Sequence, residues 1–331
     1  MMRRRLARLL LAAGEGERAG TAPPSVRRAG SSGECLGLSD ERLLQLAVEH
    51  SLGSVASHFR RLGEPLQLRR LAWWGSALAD IGCAAGSRGR EDDLLADAAR
   101  FYVAVALFDH VVDDAPDRSI ALARPLEPSR LRLKLERPTD PEARLVCPAP
   151  GLRLIVALFD RALEGIGRRL EREPVWRAEL ADMLETMYCS ELSLSGDPLA
   201  AKTLPFILIG HLALPPTETA PRAFFTKLAY LLGLWDDWQD LLPDGWALAP
   251  NAHLEPRPPG RLRGLGRGLW LTLMGMTPRH ELSLRLTRAL EATLESARPL
   301  PVAARRKTDE LLLHMFGVRV FPALIDQRPD A

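Results

Sequence analysis

Apolar residues recur at helical spacing from Leu38 onward, and no stretch alternates like a half-buried strand. The first such stretch is "LSDERLLQLAVEH", in which Ser39 and Asp40 are good helix N-caps. Eight further stretches share this period: "LRRLAWWGSALADIG", "EDDLLADAARFYVAVALFDHVV", "GLRLIVALFDRALEGIGRRLE", "VWRAELADMLETMYCSELSL", "LAAKTLPFILIGHLAL", "PRAFFTKLAYLLGLWDDWQDLL", "ELSLRLTRALEATLESA" and "AARRKTDELLLHMFGVRV". The pattern predicts an all-α protein.

The start of the chain differs from the rest. Residues 1–38 are rich in Gly, Ala, Arg and Ser and lack periodicity, which predicts a disordered extension. Their apolar run is too short to span a bilayer and Arg8 interrupts it, although an Arg-rich targeting peptide is an alternative reading. We find no clear linker after this extension, so residues 39–331 are predicted to form a single all-helical domain without an integral membrane segment.

Two segments between the predicted helices are rich in Pro and Gly: "RPLEPSR…RPTDPEARLVCPAP" and "PNAHLEPRPPGRLRGLGRG". Residues of these types favour turns and loops. The first segment is long for a connection between helices, which is typical of a mobile loop beside a site.

Composition excludes several classes of function. The 331 residues contain 44 Lys and Arg against 42 Asp and Glu, and a net charge of +2 gives no footprint of nucleic-acid binding. The four cysteines lie far apart without a CxxC pair. This argues against a zinc site or a disulfide scaffold, and fits the reducing cytoplasm as the location.

Two carboxylate clusters carry the candidate chemistry, and each follows an apolar helix. The first lies in "HVVDDAPD" and the second in "GLWDDWQD", with a further aspartate four residues on. Their members are Asp113, Asp114 and Asp117 in the first, and Asp236, Asp237, Asp240 and Asp244 in the second. Residues four apart share a helix face, so the carboxylates of each cluster lie close together and repel one another. A bound cation would offset this repulsion. Hard oxygen ligands at this spacing suit magnesium, which completes its octahedron with water and phosphate oxygens.

The two clusters resemble the first and second aspartate-rich motifs of trans-isoprenyl diphosphate synthases and related class I terpene synthases. Between them, "AAKTLPFILIGH" resembles the Lys-Thr motif of that family. The resemblance covers roughly residues 40–325 and is specific as a set of three motifs. It implies an isoprenoid synthase-type helical barrel with a deep apolar central cavity.

The resemblance also implies a site in which three magnesium ions hold the diphosphate of a prenyl substrate. The implied metal ligands are Asp113, Asp114, Asp117, Asp236, Asp240 and Asp244, and Asp237 joins the catalytic set. The implied diphosphate contacts are Lys202, Thr203, Arg118 and Lys227. Metals and lysine would pull the leaving group away and produce an allylic carbocation.

This chain lacks several of the residues that the family uses to bind isopentenyl diphosphate. Leu66 and Gln67 stand where the family carries a lysine and an arginine, Ser119 follows Arg118, and Gly233 stands before the second cluster where the family carries glutamine. This asymmetry favours a terpene cyclase. Three alternatives remain: a short-chain prenyl diphosphate synthase that uses other arginines, a non-catalytic partner subunit, and a head-to-head condensing enzyme, whose aspartate spacings fit less well.

A cyclase needs aromatic faces that steady a cation. The candidate cavity residues are Phe108, Asp109, Trp235, Trp238 and Glu191. For each aromatic residue, simple core packing is the alternative. Asp109 shares a face with Asp113, so it either extends the metal cluster or pairs with an arginine. Homodimers are common in the family, and the sequence leaves the oligomeric state open.

Overall fold

The computed structural model of the chain describes residues 65–87, 91–114, 124–146, 152–192, 198–247, 251–256, 258–275 and 280–316. Within these ranges the regular structure is helical and there is no strand, which confirms the all-α prediction. None of the helices described there is long and apolar enough to cross a membrane. The predicted disordered extension and the helix predicted near Ser39 lie outside the described residues.

The described ranges contain eleven α-helices and two short 3-10 turns, Arg124–Leu126 and Pro141–Ala143. The α-helices are α1 (Pro65–Ala85), α2 (Asp92–Asp114), α3 (Pro128–Glu136), α4 (Arg153–Arg169), α5 (Pro174–Leu192), α6 (Pro198–Ala213), α7 (Thr219–Gln239), α8 (Leu241–Ala247), α9 (Arg261–Gly275), α10 (Glu281–Ala297) and α11 (Val302–Phe316).

The helices fall into two compact units. The N-unit contains α1–α5 and the end of α6, and the C-unit contains the start of α6 and α7–α11. The boundary falls inside a helix, after Ile207. The prediction of a single domain stays a prediction.

The N-unit is built around α2 and α4, whose facing side chains form much of its core. Phe101 and Phe159 are buried there, with ring centroids 5.7 Å apart in a T-shaped pair. Trp176 of α5 is also buried, and its indole N–H donates to the carbonyl of His211 over 2.9 Å. A buried indole needs such an acceptor, so this bond fixes the start of α5 against the end of α6.

The loop predicted after the first aspartate cluster is wrong for residues 128–136, which form α3. Pro128 starts this helix at a position where its missing N–H costs nothing, and Leu131 and Leu135 are buried. Lys134 is buried between them and lies 3.2 Å from Asp160 and 3.4 Å from Glu164. The hydrophobic pattern does not predict α3 because a lysine occupies one of its core-facing positions. Ion pairs with residues of another helix make this buried lysine favourable.

The second predicted loop is wrong for residues 261–268, which form the first half of α9. A Cβ on Gly268 would lie 2.3 Å from the carbonyl oxygen of Leu241, and one on Gly245 would lie 2.5 Å from that of Gly264. The glycines therefore let the backbones of α8 and α9 touch. Their value in close packing outweighs the roughly 1 kcal/mol that each glycine costs a helix.

Candidate functional site

The second aspartate cluster lies where α7 passes into α8. Asp236 is in the last turn of α7 and its carbonyl accepts from the N–H of Asp240 at 3.0 Å. The carbonyl of Asp240 in turn accepts from the N–H of Asp244 at 2.8 Å, so the helical repeat continues across the junction. Pro243 is compatible with this repeat because it lies in the first turn of α8, where no N–H is needed.

Lys202 reaches this cluster from α6. Its Nζ lies 2.9 Å from Oδ1 of Asp237 and 3.1 Å from Oδ2 of Asp236. Asp240 is also within ion-pair range, with Oδ2 at 4.0 Å. The Lys-Thr motif and the second aspartate motif, 34 residues apart in the chain, are thus brought together in the C-unit.

The neighbouring aspartates keep Lys202 in its charged form. Burial by itself lowers the pKa of a lysine, but the negative charges of Asp236 and Asp237 outweigh it and raise the pKa above its ordinary value. The ammonium group therefore stays protonated at neutral pH and acts as a built-in cation of the cluster.

Gly233 makes this approach of α6 to α7 possible. A Cβ at this position would lie 2.9 Å from Cγ2 of Thr203 and 3.0 Å from Cδ1 of Leu199. Thr203, a predicted diphosphate contact, is buried in this interface. Gly233 is therefore the residue that lets the helix turn of Lys202 and Thr203 pack beside the aspartates.

Asp237 anchors the site from inside the C-unit. Its side chain is fully buried, and its Oδ2 accepts from the N–H of Ala252 at 2.7 Å. Oδ1 faces Lys202, so both oxygens already have partners. Such a carboxylate positions the lysine and the following loop.

Asn251 and His253 complete the site, and sequence reasoning missed both. The Asn251 side-chain amide donates to the carbonyl of Asp237 at 2.7 Å and to Oδ2 of Asp244 at 2.8 Å. The buried His253 ring places Nε2 2.9 Å from the carbonyl of Leu234. Burial lowers the pKa of His253, so the neutral ring donates this bond. The stretch "PNAHLEP" has no periodicity or motif from which these roles could be inferred.

The cluster holds more negative charge than Lys202 neutralises. Burial and the neighbouring charge of Asp236 raise the pKa of Asp240 to about 7. Burial also raises the pKa of Asp244 to about 6, against the opposing effects of Lys202 and Asn251. Carboxylates that hold protons this tightly would gain from an additional cation.

Asp236 and Asp240 offer oxygen donors of the kind that magnesium prefers. Both side chains are about half exposed, at 51% and 45%. Within the described ranges no group of three or more metal-ligating side chains converges. Magnesium is commonly held by one or two carboxylates together with water and substrate phosphate, so the carboxylates of Asp236 and Asp240 are a sufficient donor set.

The first cluster belongs to the N-unit. Asp113 and Asp114 are the last residues of α2, so they close an apolar helix as predicted. Asp117 and Arg118 lie outside the described residues. The metal and diphosphate roles of these four residues stay predictions.

The predicted cavity residues are distributed over three helices. Phe108 is buried in α2, next to the half-buried Asp109, and the half-buried Glu191 lies near the end of α5. In α7, the rings of Trp235 and Trp238 lie 4.8 Å apart. Trp238 packs against the small core of Leu241, Leu254 and Leu282, which agrees with the core-packing alternative for this residue.

Lys227 is not brought to the cluster. It is exposed on α7, nine residues before Asp236, and nine residues at 100° each place it on the opposite face of the helix. Its predicted diphosphate contact therefore has no support from this geometry.

Comparisons of the chain with protein-family models, with curated proteins and with solved structures found no match. The functional conclusion therefore depends on the motifs and on the geometry of the residues themselves.

Proposed function

We propose that the protein is a magnesium-dependent class I terpene synthase that ionises a linear prenyl diphosphate and releases diphosphate. The observation that carries the proposal is the meeting of Lys202 with Asp236 and Asp237 at 3.1 and 2.9 Å. Two motifs that resemble the family's diphosphate-binding and metal-binding elements share one site, although they lie on different helices.

In the proposed reaction, the bond between the allylic carbon and the diphosphate oxygen breaks heterolytically. The electron pair leaves with the oxygen, and an allylic carbocation remains. When bound, magnesium would supply positive charge that stabilises the departing diphosphate. Asp236 and Asp240 are the C-unit residues that would hold it, and the resemblance adds Asp244 to them.

Lys202 would stabilise the same leaving group with its ammonium charge. A fixed positive group where negative charge develops acts without reorganisation during the reaction, which is why such groups contribute strongly to rate. Neutralisation of Asp236 and Asp240 by a cation would free Lys202 from those carboxylates. Asp237 would still hold it in place, because that carboxylate is buried and anchored by the loop.

The sequence supports a cyclase over a chain-elongating synthase. Only the elongating reaction needs a second diphosphate pocket, and Leu66 and Gln67 replace the basic residues that the family uses there. The first cluster, with Asp113, Asp114 and Asp117, is proposed to bind metal in the same reaction, as the resemblance implies.

Product analysis tests the proposal. Purified full-length protein would be incubated with magnesium and geranyl, farnesyl or geranylgeranyl diphosphate, each with and without isopentenyl diphosphate. A hydrocarbon or terpene alcohol formed without isopentenyl diphosphate is the expected result. A longer diphosphate formed only in its presence would identify a prenyl diphosphate synthase. Absence of any product would favour the non-catalytic subunit.

A matched pair of lysine variants compares Lys202 of α6, which lies at the site, with Lys227 of α7, which lies outside it. Lys202→Met is expected to lower turnover about 100-fold or more, since it removes a charge aimed at the leaving group. Lys227→Met removes the same charge from the face of α7 opposite Asp236. It is expected to change turnover less than about two-fold. Equal losses in both variants would contradict the assignment of Lys202.

A further inference from the structure

The C-unit exposes an apolar helix face. Five large apolar side chains of α9 are exposed, with exposed fractions between 36% and 79%: Leu262, Leu265, Leu269, Trp270 and Leu273. Leu262, Leu265, Leu269 and Leu273 follow helical spacing on one side. Single exposed leucines are ordinary, but a contiguous apolar surface marks an interaction site.

Helix α8 extends this surface. Leu242 and Trp246 are exposed and lie four residues apart, on one side of the helix. The close glycine contacts put α8 directly against α9, with Cα of Leu242 within 3.5 Å of a Cβ built on Gly268. We call the surface formed by these seven side chains the α8–α9 face.

The other side of α9 is already used. Gly264 and Gly268 are buried against α8, and Leu271 packs against the core of Leu241, Leu254 and Leu282. The exposed side chains of the α8–α9 face therefore lie on the other side of these helices from the packing contacts. Elsewhere in the described residues, exposed large apolar side chains are dispersed, at Val146, Val175, Tyr230 and Val302.

The α9 part of this face has basic neighbours in the sequence. From Pro256 to His280 the sequence contains five arginines and no acidic residue. Arg261 and Arg263 are exposed in the first turn of α9. Arg267 is held by the carbonyls of Glu255 and Pro256, at 2.8 and 2.9 Å, so its charge stays beside the apolar side chains.

We propose that the α8–α9 face docks on the surface of an anionic lipid bilayer, with α9 lying in the interface. A helix that combines exposed leucines and tryptophan with arginines matches both the apolar and the charged layers of such a surface. Its 15 residues are too few to cross the hydrocarbon core. A second copy of the chain would instead bring arginines against arginines. This docking is independent of the proposed reaction.

Vesicle co-sedimentation with the full-length protein tests the proposal. Vesicles of phosphatidylcholine alone are compared with vesicles that also contain phosphatidylserine. We expect at least ten-fold tighter binding to the anionic vesicles, weakened by salt. Arg261→Gln is expected to weaken that binding about five-fold, since one basic residue near such a surface contributes about a five-fold factor.

The apolar face is tested by the double variant Leu262→Glu with Leu269→Glu, which is expected to lose vesicle binding at least ten-fold. Val175→Glu, at an exposed apolar position of α5, is the matched control and is expected to bind as the wild type does. Unchanged binding of the double variant, or equal binding to neutral and anionic vesicles, would overturn the proposal. So would a wild-type dimer that fails to bind vesicles and becomes a monomer in the double variant, since the face would then be a self-interface.

Discussion

At the scale of single residues, Lys202 is the side chain on which the geometry of the candidate site depends. It neutralises the fully buried carboxylate of Asp237 and lies beside Asp236 and Asp240. A buried charge that loses its partner is far more costly than the pair is stabilising. The site therefore couples stability to the residue proposed for catalysis.

We expect Lys202→Met to lower the free energy of unfolding by about 3 kcal/mol, because the buried carboxylate of Asp237 loses its counter-ion. Denaturant unfolding followed by far-UV circular dichroism measures this loss. Adding Asp237→Asn to the variant should recover part of it, since the orphaned charge is removed. A double variant no more stable than Lys202→Met would show that the pair is not the source of the loss.

Asp97 is a second buried carboxylate and lies in the N-unit. At Lys202 the neighbouring charges outweigh burial, whereas at Asp97 burial outweighs the neighbouring charges. It lies 2.7 Å from Arg100 and 3.7 Å from Arg169, and its side chain is 5% exposed. Burial outweighs both arginines and raises the pKa of Asp97 from 3.8 to about 6. The folded state thus binds this proton more tightly than the unfolded state, so Asp97 lowers stability as pH rises from about 4 to about 6.

Asp97→Asn should remove this dependence on pH. Between about pH 4.5 and pH 7, the wild type is expected to lose about 2 kcal/mol of unfolding free energy relative to the variant. Denaturant titrations of both proteins at the two pH values give the comparison directly. Parallel changes in the two proteins would contradict the raised pKa.

At the scale of the helices, glycines decide how closely elements pack. Gly233 lets α6 approach α7, and Gly245 and Gly268 let α8 touch α9. From the sequence alone, Gly268 is assigned to a loop and Gly233 is a difference from the motif that the chain resembles. Local propensity could not show their role, because the atoms that a Cβ would meet belong to another helix.

Gly233→Val tests this packing. The larger side chain has to displace Thr203 and Leu199, so we expect a loss of about 2 kcal/mol of unfolding free energy beyond the control. Gly266→Val is that control, since a Cβ there meets nothing within 4 Å and the loss of helix propensity is comparable. Equal stability of the two variants would mean that the packing of α6 against α7 does not require a glycine at position 233.

At the scale of the whole molecule, the two aspartate clusters belong to different compact units. Asp113 and Asp114 end α2 in the N-unit, whereas Asp236 and Asp240 lie in the C-unit. The metal role proposed for the first cluster is therefore tested by variants in the N-unit alone.

The double variant Asp113→Ala with Asp117→Ala is expected to lower turnover of a prenyl diphosphate at least about 100-fold, since it removes charges proposed to hold metal. Its far-UV circular dichroism should keep the helical signal. Asp92→Ala with Asp93→Ala, at the exposed start of the same helix, is the matched control and should keep turnover. Retained turnover in the first variant would end the metal assignment of that cluster.

The sequence by itself determined the helical class of this protein and the position of most helices, because the 3.6-residue period is a local property of the chain. It also identified Lys202 and the aspartates as chemically unusual. Only the tertiary structure decided that Lys202 pairs with the second cluster and that Asn251 and His253 support it. It also decided that α3 and α9 are helices, against the loop predictions. Burial, ion pairing and close backbone contact depend on residues distant in sequence, and no local pattern records them.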